Sequence, residues 1–96
     1  MPKYVMCLGG TGRRRAMVRY LYRRGYDAIA CEGKSAIADA IRERGLPRLI
    51  LSETSAHVRR AREVVPRLYE VGALSFEAFA ELLRDGRRAL DVLLAG

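Results

Sequence analysis

The sequence predicts an α/β fold: a three-layer sandwich with a short parallel sheet of three or four strands, ordered 2-1-3 or 2-1-3-4, and helices on both faces. Three observations predict it. Short apolar runs alternate three times with longer segments of helical period, and strand–helix alternation builds parallel sheets. The runs Tyr4 to Leu8 and Leu49 to Leu51 are continuously apolar, as strands covered on both faces are. Gly25, Gly45 and Gly72 fall where elements must stop.

The elements follow in order. The first strand covers about Lys3 to Leu8. A glycine-rich turn leads into a helix from about Arg13 to Arg24, with Ala16, Met17, Tyr20 and Leu21 on one stripe; Gly25 closes it. Asp27 to Cys31 is a second strand. Glu32-Gly33-Lys34 turns the chain, Ser35 is placed to cap, and Ala36 to Arg44 forms a helix with Ile37, Ala40 and Ile41 inward. Pro47 breaks the chain before the third strand, Leu49 to Leu51. Thr54 or Ser55 caps the next helix, which carries Val58, Ala61, Val65 and Leu68 and is interrupted at Pro66. Residues 67–71 fit either its continuation or a short fourth strand. Ser75 caps a last helix with Phe76, Phe79, Ala80, Leu83, Leu90, Leu93 and Leu94, which Asp85-Gly86 can divide.

Composition sets the class. Ninety-six residues, half of them hydrophobic, make one domain over 1–96 and exclude a disordered tail. No run approaches the roughly 20 apolar residues of a membrane span, and the N-terminus lacks a signal-peptide layout. The expectation is a cytoplasmic protein with no membrane partner. Two cysteines, Cys7 and Cys31, make no disulfide framework. The net charge is +7, and 16 of the 18 basic residues are Arg. Arg suits bidentate phosphate recognition. The partners implied are a phosphorylated protein, a small phosphate ester or, with less support, nucleic acid. Most of these side chains also fit a plain solvated surface.

The chemistry-bearing stretch is Cys7-Leu8-Gly9-Gly10-Thr11-Gly12-Arg13-Arg14. A strand feeding a glycine-rich turn and a helix N-terminus binds anions through its N–H groups. In a parallel sheet this turn lies beyond the strand ends, where strand order reverses; Cys31 and Glu53 end the neighbouring strands on that edge. Leu8 to Arg13 resembles the start of a short-chain-dehydrogenase-like dinucleotide domain, but the third fingerprint glycine falls on Arg15. Cys7, five residues and then Arg13 fit a phosphatase loop: a thiolate facing main-chain amides, with a guanidinium closing the ring.

Tyr4-Val-Met-Cys-Leu-Gly resembles the start of low-molecular-weight protein tyrosine phosphatases and the related arsenate reductases. Leu49-Ile-Leu-Ser-Glu-Thr-Ser-Ala-His57-Val resembles that family's third strand and following helix. The resemblance implies a cysteine-dependent protein phosphatase, a hydrolase of phosphate monoesters acting through a cysteinyl-phosphate. Cys7 is then the nucleophile, its pKa lowered by the loop. Arg13 and the loop residues Leu8, Gly9, Gly10, Thr11, Gly12 and Arg14, the last standing where the family has Ser, hold the phosphoryl oxygens. No cofactor and no metal are implied. The family's Asp-Pro acid has no counterpart in Val71 to Ser75, which leaves Glu53, Glu32 or Glu70 as general acid. Two alternatives stay open: a non-catalytic phosphate- or nucleotide-binding module, and a basic nucleic-acid-binding protein. Cys31 reads as a buried filler or a redox partner of Cys7, and His57 as a surface or capping residue.

Overall fold

A computed structural model describes residues 4–84. The elements are β1 (Val5–Leu8), α1 (Thr11–Arg23), β2 (Ala28–Ala30), α2 (Gly33–Arg44), β3 (Leu49–Ser52), α3 (Ser55–Val64), a 3-10 turn (Pro66–Glu70), β4 (Ala73–Ser75) and α4 (Phe76–Arg84). The four strands form one parallel sheet ordered β2-β1-β3-β4. The anticipated three-layer α/β sandwich is therefore the fold, in its four-stranded form.

Strand side chains alternate between the two faces, and this splits the core into two layers. Tyr4, Met6, Leu8 and Ile50 point to the α2–α3 face, where they meet Ile37, Ala40, Val58, Ala61 and Leu68. Val5, Cys7, Leu49 and Leu51 point the other way, onto Leu21 of α1 and Phe76 and Phe79 of α4. The Tyr20 and Phe79 rings meet edge to face, with centroids 6.5 Å apart. β1 lies between β2 and β3, so strand order reverses at its C-terminal end.

The glycines end helices where expected. Gly25 (φ +85°) follows α1 and donates its N–H to Tyr22 O, while Gly45 (φ +80°) caps α2. At this second cap the Tyr4 hydroxyl donates to Gly45 O at 2.8 Å. Arg44 pairs with Asp27, tying the end of α2 to the start of β2.

Three details differ from the sequence reading. α2 begins at Gly33, two residues before the expected Ser35 cap. Residues 67–71 neither continue α3 nor form a strand. Pro66 removes one N–H and presets φ for a tight 3-10 turn. The fourth strand is Ala73–Ser75 instead. Ser75 does cap α4, its hydroxyl accepting from the Ala78 N–H at 3.0 Å. Leu90, Leu93, Leu94 and the Asp85-Gly86 division lie outside the described residues.

Candidate functional site at the sheet's C-terminal edge

The glycine-rich turn lies on the reversal edge, and it already holds an anion. β1 ends at Leu8, Gly9 adopts φ +138°, and Gly10 is the extended residue preceding α1. On the neighbouring strand, the Glu53 N–H donates to Leu8 O at 3.0 Å. That bond carries the Glu53 side chain over the turn. Its Oε2 accepts the Gly10 N–H at 2.7 Å, and Arg13 Nη1 lies 3.9 Å from Oε1.

The glycines are required by this close approach. A Cβ at Gly9 would stand 2.7 Å from Glu53 Cβ, and one at Gly10 3.0 Å from Glu53 Oε2. A helix N-terminus favours a negative group, and here a carboxylate of the same chain supplies it. Glu53, expected as an acid acting on a bound ester, instead occupies the turn.

Cys7 does not face this turn. It is fully buried in the α1–α4 layer beside Leu21, Leu51, Phe76 and Phe79. Burial pushes its thiol pKa from 9.0 up to about 12, and Cys31 adds to the rise. A nucleophilic thiolate needs the opposite shift. Cys31 packs in the other layer, across the sheet. Both cysteines are free thiols, and they belong to opposite core layers, so the redox pairing is not formed.

The two arginines exchange their anticipated places. Arg13 is two-thirds exposed at its side chain. Arg14 is the buried one, 7% exposed. Its Nη1 donates to Gly9 O at 2.8 Å and its Nη2 to Thr11 Oγ1 at 3.1 Å, with Glu32 Oε2 3.3 Å away. A buried guanidinium thus clasps the turn from below. Thr11 and Gly12 form the exposed first residues of α1. Glu32 extends into solvent from the β2–α2 turn. His57 Nδ1 pairs with Thr54 Oγ1 at 2.7 Å, a local contact at the start of α3. Glu70 lies at the end of the 3-10 turn, away from β1 in sequence and on the exposed surface.

Sequence reasoning found the turn and the carboxylate but missed their bond. It also missed the buried arginine, which helical spacing does not single out. Arg13 lies three, four and seven residues before Ala16, Met17 and Tyr20, on the apolar stripe of α1, and Arg14 lies at the edge of that stripe; the burial of Arg14 follows from its bond to Gly9 O, a tertiary contact.

No family model matches the chain, and a comparison with curated proteins finds no match. Among solved structures, the response regulator receiver protein from Pseudomonas putida is similar, with a TM-score of 0.56 and 18% identity. The match covers 78% of this chain and 69% of that one. At this identity the likeness speaks to the fold: a flavodoxin-like sheet with strand order 2-1-3-4. It overturns the resemblance to low-molecular-weight phosphatases. The expectations of a hydrolase, a protein phosphatase and a catalytic Cys7 are corrected with it. The physical reason is the one above: the sulfur is buried and protonated, and the turn is filled. No helix among the described residues is long and apolar enough to cross a membrane.

Proposed function

We propose that the chain, one domain over 1–96, is a receiver-like signalling module that works by binding another protein, with Glu53 as a permanent carboxylate latch at its switch edge. The bond between Glu53 Oε2 and the Gly10 N–H carries this reading. A response regulator receiver shares the fold, and such a domain points to phosphoryl-accepting signalling. Acceptance on a carboxylate calls for a free oxygen to attack phosphorus, usually with a divalent cation to neutralise the developing charge.

Here the edge carboxylate is engaged by a main-chain donor and flanked by Arg13. Among the described residues no three His, Cys, Asp or Glu side chains gather as they would around a metal ion. Around the turn lie Arg13, Arg14 and Arg15, where a cation-assisted site would carry carboxylates. The fixed charge on Glu53 therefore holds the β1–α1 turn in one arrangement without modification. The exposed arginines of α1, Arg15, Arg19 and Arg23, recur every fourth residue and offer a basic stripe to an acidic protein surface. A cytoplasmic setting fits this reading, with both thiols free.

The test is incubation with acetyl phosphate and Mg²⁺, followed by intact-mass measurement and amide hydrogen exchange. The expected result is no phosphoryl adduct, together with a protected Gly10 amide that loses protection in Glu53→Gln. A phosphoryl adduct on Glu53, absent from Glu53→Gln, would overturn the latch.

A further inference from the structure

The cavity over α2 and α3 has a composition that the latch does not explain. It encloses about 410 Å³, within the range of small-molecule sites. Its apolar lining comes from Leu8, Cys31, Ile37 and Val64, and its basic lining from Arg14, Lys34 and Arg60, with His57 beside them. His57 Nδ1 pairs with Thr54 Oγ1.

Two independent features mark an anion site. The cavity opens at the start of α2, a 12-residue helix whose preceding residue, Glu32, makes no side-chain cap. Its first N–H groups are therefore available to an anion. The second feature is Arg14. It is more than nine-tenths buried, lines the cavity and pairs with Glu32. Its Nε has no hydrogen-bond partner among the described residues. That nitrogen is sealed from solvent, so a ligand in the cavity meets the guanidinium on the side that Glu32 now takes. The exposed Glu32 carboxylate, 3.3 Å away, is the only acidic side chain on the cavity among the described residues. A ligand anion would take its place on Arg14 as Glu32 swings into solvent.

We infer that this cavity binds a small organic anion: a phosphate or carboxylate headgroup between Arg14, Lys34 and Arg60, and an apolar body on Leu8, Ile37 and Val64. The cavity stands whether or not Glu53 is ever modified, so the two readings fail separately.

The test is titration of the ¹⁵N-labelled protein with phenylphosphonate, benzoate and inorganic phosphate. The two aryl anions should shift the amide signals of Gly33, Lys34 and Arg60 saturably, and more tightly than inorganic phosphate. The tighter of the two names the headgroup. Lys34 and Arg60 are exposed, so Lys34→Glu and Arg60→Glu should fold normally and weaken binding about tenfold or more, as loss of a charge-assisted contact does. Glu32→Gln should tighten it by removing the internal competitor. Inorganic phosphate binding as tightly as the aryl anions would overturn the inference. So would charge reversal without effect, or shifts confined to Gly10–Gly12.

Discussion

Cys7 shows how far one position can mislead when only its neighbours in sequence are known. A cysteine at a strand end beside a glycine-rich turn fits a nucleophile by spacing. What decides is which face of the strand it occupies, and that follows from alternation with Met6 and Leu8 across two core layers. The buried thiol has two measurable consequences. Cys7→Ser places a hydroxyl in the apolar α1–α4 layer and should lower stability by about 1–3 kcal/mol in urea unfolding. The second concerns alkaline pH. The folded pKa is raised from 9.0 to about 12, so the folded state holds its proton longer than the unfolded chain. Stability is then full below pH 9 and falls as pH rises toward 12. Tyr4, raised from 10.0 to about 12 mainly by burial, adds to the decline over the upper part of that window. Unfolding measured across this range should show a shallower fall in Cys7→Ala. An equally steep fall in that variant would remove Cys7 from the account.

At the scale of elements, the β1–α1 turn and the end of β3 act as one unit, because parallel pairing sets Leu8 beside Ser52 and delivers the next residue, Glu53, over the glycines. Gly9→Ala meets two obstacles: φ +138°, which L side chains rarely adopt, and a Cβ at 2.7 Å from Glu53 Cβ. It should cost about 1–3 kcal/mol, with the loss concentrated in exchange protection of residues 8–14. Glu53→Gln keeps the shape and removes the charge. The carboxylate is partly exposed, so the expected loss is smaller, about 1 kcal/mol. Most elements were legible from pattern alone: the two long apolar runs, the stripe on α1 and the terminating glycines. β4 was not. It has three residues, all only partly buried, and its neighbour Gly72 reads as a break. It becomes a strand only because Ile50 and Ser52 offer a free edge, which is tertiary information. The Glu53–Gly10 bond was hidden for the same reason. It joins residues 43 apart in sequence, and no local pattern reports such a contact.

For the molecule as a whole, charge is the feature the sequence states most plainly and the fold uses least. A net charge of +7 sits on a body with a radius of gyration of 12.3 Å, close to the Debye length of about 10 Å at 0.1 M salt. Most pairs of arginines therefore repel one another at low salt, while pairs such as Arg44–Asp27, Arg42–Asp39 and Arg13–Glu53 attract. Those pairs are at the surface or partly so, where each contributes about 0–1 kcal/mol. A few such contributions do not offset an excess of seven like charges, so screening should help the folded state. The urea midpoint should rise as sodium chloride increases from low concentration to about the physiological ionic strength. A midpoint that falls instead would mean that the ion pairs outweigh the general repulsion. The first place to look would then be Arg44–Asp27, which joins α2 to β2. Sodium phosphate at matched ionic strength separates this general effect from a site. If the cavity over α2 and α3 takes a phosphate headgroup, phosphate should raise the midpoint further than chloride does, because a ligand that binds only the folded state adds stability that grows with the logarithm of its concentration over its Kd. In Lys34→Glu that excess should shrink while the chloride dependence persists.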